Sequence, residues 1–213
     1  MRNVERGAEP STVSTAFREH TVTHDVVDTR FRRRRWEPNE RNERPEHLDV
    51  AINAWREALP LAAAGSTMQS GRANRLGRLL AARYARTGDV RDLDEAIAAL
   101  NLSCAATDDL ATRYDRLRRL GDALLERYVQ AAQPSHLDYA ISALTEAHRH
   151  SRKPAIGVSG EERLDCVRSL TAALTARYAV HGDPADLDAA IGALHQLRGD
   201  LGAEDAQPPG EGR

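Results

Sequence analysis

RYARTGDVRDLDEAIAAL, residues 83–100, is the stretch from which the rest of the chain is read. Tyr128 follows Tyr84 by 44 positions and Ile141 follows Ile97 by 44, while Tyr178 and Ile191 follow those by 50. A fixed spacing of this size marks stacked helical hairpins, each unable to bury its apolar face alone. The first helix of each copy places apolar residues on one face: Leu76, Leu79, Leu80 and Tyr84, then Leu120, Ala123, Leu124 and Tyr128, then Leu170, Ala173, Leu174 and Tyr178. The second helix repeats Leu-x-x-Ala-Ile-x-x-Leu from Leu93, Leu137 and Leu187, its small Ala letting the paired helix approach. Between them, Gly88-Asp89 and Gly182-Asp183 offer a left-handed glycine followed by an Asp N-cap. Pro45, Pro134 and Pro184 fall at the first helical position of the second helix, where a missing N–H costs little.

Outward from these copies, residues 45–59 form a half-copy, with Leu48, Ala51, Ile52 and Trp55 matching Leu93, Ala96, Ile97 and Leu100. A second helix without its first leaves an apolar face open, and the N-terminal segment is the first expected cover, a partner the next. Residues 1–43 do not match the repeat, because Pro38 falls where the helix would run. They are expected to be an irregular, partly disordered arm, residues 44–201 a repeat domain, and residues 202–213 a disordered tail. Ser66 or Thr67, Thr107, and the Ser159/Glu162 capping box are the expected N-terminal signals of the three first helices. With no further polar helix after Leu201, the stack is expected to continue into another subunit, another protein or a domain lost from this chain, since repeat arrays need capped ends.

Composition narrows the function classes. The chain has 213 residues, 41% of them hydrophobic and 4% aromatic, so its core rests on Leu, Ala, Ile and Val. A formal charge of −2 argues against nucleic acid or an anionic membrane as general partner. No apolar run reaches spanning length and the N-terminus lacks a signal-peptide core, so the expected location is the cytoplasm. RFRRRRW, residues 30–36, is a basic run between aromatics, followed by Glu37, Glu40 and Glu43, which offset its field; it reads as a solvated linker. Cys104 and Cys166 sit inside expected helices with no His one turn away and read as packed thiols rather than nucleophiles. His20/His24 and His148/His150 lack a third ligand or share no face, so no metal site is expected. No phosphate loop or nucleophile–base set appears; no cofactor and no enzymatic activity are expected.

Two sets of charged residues stand out. Arg83, Arg127 and Arg177 precede the repeated Tyr, and Asp94, Asp138 and Asp188 follow the repeated Leu, so a structural ion pair is expected within each hairpin. Asp115 with Arg118 or Arg119, and Arg118 with Asp122, read as helical pairs on a solvated face. Arg72, Arg75, Arg78, Arg113, Arg116, Arg163 and Arg168 lie on the first helices, where a concave arginine-lined groove would take an acidic segment or a C-terminal carboxylate.

The string L-G-x-x-L-x-x-R-Y-x-x-x-G-D-x-x-D-L-D-x-A-I, here Leu76-Gly77 through Ala96-Ile97, resembles the tetratricopeptide-like repeats of actinobacterial proteins that carry a C-terminal CHAT domain, a caspase-like protease module. The likeness covers residues 45–201 and is partial in the second copy, where Ala132-Gln133 replaces Gly-Asp. It implies an interaction or sensing array attached to an effector, without the protease module itself. The expectation is therefore an all-α, right-handed tetratricopeptide-like solenoid of three hairpins plus a lone N-terminal repeat helix. Its expected role is a non-catalytic scaffold for a protein or peptide partner. The alternatives are a regulatory subunit acting in trans on such an effector, and a structural protein that self-associates through uncapped ends.

Overall fold

The computed structural model of the protein describes residues 45–106 and 109–205. The readings placed on residues 1–43, including His20, His24 and the Arg30–Trp36 run, on Thr107, and on the tail after residue 205 lie outside the described residues.

Seven α-helices make up the described chain: α1 Pro45–Ala58, α2 Thr67–Thr87, α3 Val90–Ser103, α4 Leu110–Ala131, α5 Pro134–Ser151, α6 Gly160–His181 and α7 Pro184–Asp205. Single 3₁₀ turns, Leu59–Leu61 and Pro154–Ile156, sit in the two longer connections. The helices pack in consecutive antiparallel pairs, α2 on α3, α4 on α5 and α6 on α7. Each second helix then lies against the first helix of the next hairpin, α3 on α4 and α5 on α6, and α1 lies against α2 as the half-copy predicts.

Local chemistry sets the boundaries. Gly88 and Gly182, both at φ 71°, end α2 and α6 in the left-handed region and donate back to the carbonyls of Tyr84 and Tyr178. Asp89 then accepts from the Arg91 N–H at 3.0 Å, and Asp183 from the Ala185 N–H at 2.9 Å. The second hairpin makes the same turn with Ala132 held at φ 51° and with Gln133, which caps nothing through its side chain. Ser66 caps α2 by accepting from Gln69, and Ser159 and Glu162 form the full capping box of α6. The cap of α4 is Asp109, accepting from Thr112, two positions beyond the residue expected to do it. α7 runs past Leu201 to Asp205 because nothing before Pro208 breaks it.

The buried face follows the repeat: Leu76, Leu80 and Tyr84, then Leu120, Ala123, Leu124 and Tyr128, then Leu170, Ala173 and Leu174, meet Leu93, Ala96 and Leu100 or Leu137, Ala140 and Leu144. Two glycines let the helices close up. An added Cβ at Gly77 would stand 2.8 Å from the Leu100 Cγ, and one at Gly121 only 2.4 Å from the Leu144 Cγ. Both leucines are fully buried in the groove these glycines leave. The third copy has Thr171 at that position.

Candidate interaction surfaces

The repeated arginines form rungs between hairpins. The pairs expected within each hairpin, Arg83 with Asp94, Arg127 with Asp138 and Arg177 with Asp188, are not the ones made. Arg83 donates from Nη1 to Asp49 of α1 at 2.7 Å, Arg127 from Nε to Asp94 of α3 at 2.5 Å, and Arg177 from Nη1 to Asp138 of α5 at 2.9 Å. Each Arg therefore reaches back to the second helix of the preceding unit. Arg83 and Arg177 also grip a buried carboxylate inside their own hairpin, Asp92 at 2.6 Å and Asp186 at 2.5 Å. These hydrogen bonds hold both guanidinium pKa values above the usual arginine range. The geometry has a simple cause: residues two apart on a helix lie about 200° apart around it, so Asp92 faces its own hairpin and Asp94 the next. In the second hairpin His136 stands where Asp92 and Asp186 stand, and burial followed by the nearby Arg127 lowers its pKa.

Most of the arginines expected to line a groove are engaged with other parts of the chain. Arg72 donates to the Ala58 carbonyl at 2.5 Å, and the Arg75 guanidinium lies 5.8 Å from the centre of the Trp55 ring, tying α2 to α1. Arg113 pairs with Glu146 of α5 at 3.0 Å. Arg116 is buried and satisfies the Ser103 carbonyl at 2.5 Å, closing the end of α3 onto α4. Arg163 is also buried. Arg168 pairs with Asp165 at 3.2 Å on an exposed surface, and Arg78 lies close enough to Asp115 to help stabilise its charge.

The face of α4 read as solvated is instead half-buried, with one carboxylate fully enclosed. Asp122 is buried and accepts from Arg118 at 3.2 Å. Burial pushes Asp115 up, yet Arg119 at 2.9 Å and Arg118 at 3.7 Å outweigh it and hold that carboxyl below its usual range. Two tyrosine hydroxyls stitch first helices together: Tyr84 donates to the buried Glu126 at 2.7 Å, and Tyr114 to the Glu162 carbonyl at 2.9 Å. Sequence reasoning passed over Glu126 and read Asp122 as solvated, because charge on a helix usually faces water. The available signal was that α4, as the middle first helix, has neighbours on nearly every side.

The histidines and cysteines belong to the packing. His148 Nε2 lies 3.1 Å from Gln196 Oε1 of α7, and His150 Nε2 lies 3.3 Å from Glu146. Cys166 is buried with its thiol 3.8 Å from the Leu144 carbonyl, and burial raises the pKa of Cys104. Among the described residues no group of three or more His, Cys, Asp or Glu is placed to hold a metal ion, and no helix is long and apolar enough to cross a membrane.

One surface breaks the pattern of enclosure. Tyr84 and Tyr128 are 7% and 8% exposed, and Leu100 and Leu144 are fully buried, because the next hairpin lies over them. Their counterparts on the third hairpin are open: Tyr178 is 37%, Ile191 52% and Leu194 46% exposed. Asp188, the counterpart of Asp94 and Asp138, sits on the same exposed side and has no ion-pair partner among the described residues.

No protein-family model, no curated protein and no solved structure matches this chain. What the geometry defines is the class: an all-α array of helical hairpins packed in consecutive antiparallel pairs.

Proposed function

We propose that this chain is a non-catalytic interaction scaffold of the tetratricopeptide-like kind, which binds a protein partner through the open end of its array. The observation that carries the reading is the exposure of Tyr178 and Leu194, whose counterparts are buried in both earlier hairpins, and of Ile191, whose counterparts Ile97 and Ile141 are half-buried and buried. Apolar side chains gathered at the end of a stack of hairpins are a surface built for contact. The contacts of Arg72, Arg75, Arg113 and Arg116 with other parts of the chain support a binding site at the end of the array rather than along its side.

The test compares the full chain with an Ile191→Glu/Leu194→Glu double variant. Both positions are exposed, so helicity and melting should be unchanged. Partners isolated with the parent chain, purified and returned to it one at a time should bind the parent and fail to bind the variant. Equal binding to both would place the working surface elsewhere.

A further inference from the structure

Resting on that reading, we infer that the end face of α6–α7 receives an amphipathic helix carrying an arginine, presented by another helical-repeat protein, and that Asp188 is the anchor for that arginine. The molecule displays this contact between its own hairpins. At each junction the aspartate that follows the repeated Leu accepts from an arginine near the C-terminal end of the incoming helix: Asp49 from Arg83, Asp94 from Arg127 and Asp138 from Arg177, at 2.7, 2.5 and 2.9 Å. In all three the aspartate side chain stays more than half exposed, at 61%, 54% and 56%, while the arginine folds down to between 20% and 29%. The rung thus closes over the edge of an apolar contact and sets the register of the arriving helix. Asp188 offers the same carboxylate, Tyr178, Ile191 and Leu194 the same apolar floor, and no arginine among the described residues takes the place.

The described helices of a second copy do not supply the occupant, because among the described residues the arginines of this kind, Arg83, Arg127 and Arg177, are each engaged in a rung of their own stack.

The test uses the full chain and, as probe, a fluorescent lactam-bridged helical peptide with the sequence of residues 160–181, the helix that docks on the equivalent face through Arg177. Anisotropy should show saturable binding below about 1 mM peptide. Asp188→Arg should weaken it about tenfold, as expected for reversing one partner of a rim-to-core ion pair. A peptide with Arg177→Asp should bind the Asp188→Arg chain better than the parent chain, and Leu194→Glu should abolish binding of either peptide. Loss with Leu194→Glu but indifference to both charge reversals overturns the anchoring role of Asp188 and leaves the end-face reading standing. Absence of saturable binding, or binding untouched by Leu194→Glu, overturns the inference; the double-variant comparison above then decides the broader reading on its own.

Discussion

The same substitution, glycine to alanine in a helix, should change stability in opposite directions at Gly71 and Gly121. Removing the backbone freedom of glycine in a helix interior gains about 1 kcal/mol wherever the new methyl has room. At Gly71 an added Cβ meets nothing within 4 Å, so the gain stands. At Gly121 the Cβ would lie 2.4, 2.9 and 3.2 Å from the Cγ, Cδ2 and Cδ1 of Leu144, which is fully buried. All three branch atoms crowd the new methyl, so no small rotation relieves it, and α4 and α5 must separate. Overpacking of this kind costs about 1–3 kcal/mol, and the severity of the approach places the cost at the upper end, leaving a net loss of about 1–2 kcal/mol. For a folded unit of this size that is a rise of about 2–4 °C in melting temperature for Gly71→Ala and a fall of about 2–8 °C for Gly121→Ala, read by circular dichroism. In a Leu144→Ala background the crowding disappears, and Gly121→Ala should become stabilising. If Gly121→Ala raises the melting temperature of the parent chain as Gly71→Ala does, the close approach of α4 and α5 is wrong.

Three further outcomes follow from the same geometry. Ala132 is the one non-glycine residue at positive φ among the described residues, so Ala132→Gly should stabilise by about 0.5–1 kcal/mol in thermal or urea melts, against the usual cost of glycine. Arg177→Ala strands the buried Asp186 carboxylate and should cost about 2–3 kcal/mol, whereas Arg127→Ala, whose aspartate is exposed, should cost less than about 1 kcal/mol; equal losses in denaturant melts would refute the distinction. His148 faces Gln196, Arg152 and Asp200, and burial lowers its folded pKa below the ordinary 6.5, so the native state binds fewer protons than the unfolded chain. Its contribution is intact above about pH 6.5 and is lost as pH falls through that value toward the folded pKa; His148→Gln should flatten the fall in melting temperature between about pH 7.5 and 5.5.

The repeat was legible because it is local. Apolar spacing, the Gly-Asp turns, the prolines at first helical positions and the Ser159/Glu162 box each act within a few residues, and each is found where the pattern puts it. The ion pairs were legible as residues and illegible as partners. A search for charges common to all copies selects Asp94, Asp138 and Asp188 and passes over Asp92 and Asp186, because His136 interrupts that series. Only the angular position of each aspartate on its helix, set against the neighbour that helix faces, decides which arginine it meets.

The sequence by itself therefore determined the helices, their pairing into hairpins and the apolar face each hairpin carries, since these depend on periods and caps that a chain carries locally. The tertiary structure decided which charges are enclosed and which face is left open. Asp122, Glu126 and Arg116 are buried because α4 lies between hairpins, and Tyr178, Ile191 and Leu194 are exposed because no described helix follows α7. Copies alike in sequence differ in burial for one physical reason: a side chain's environment is set by the element packed against it.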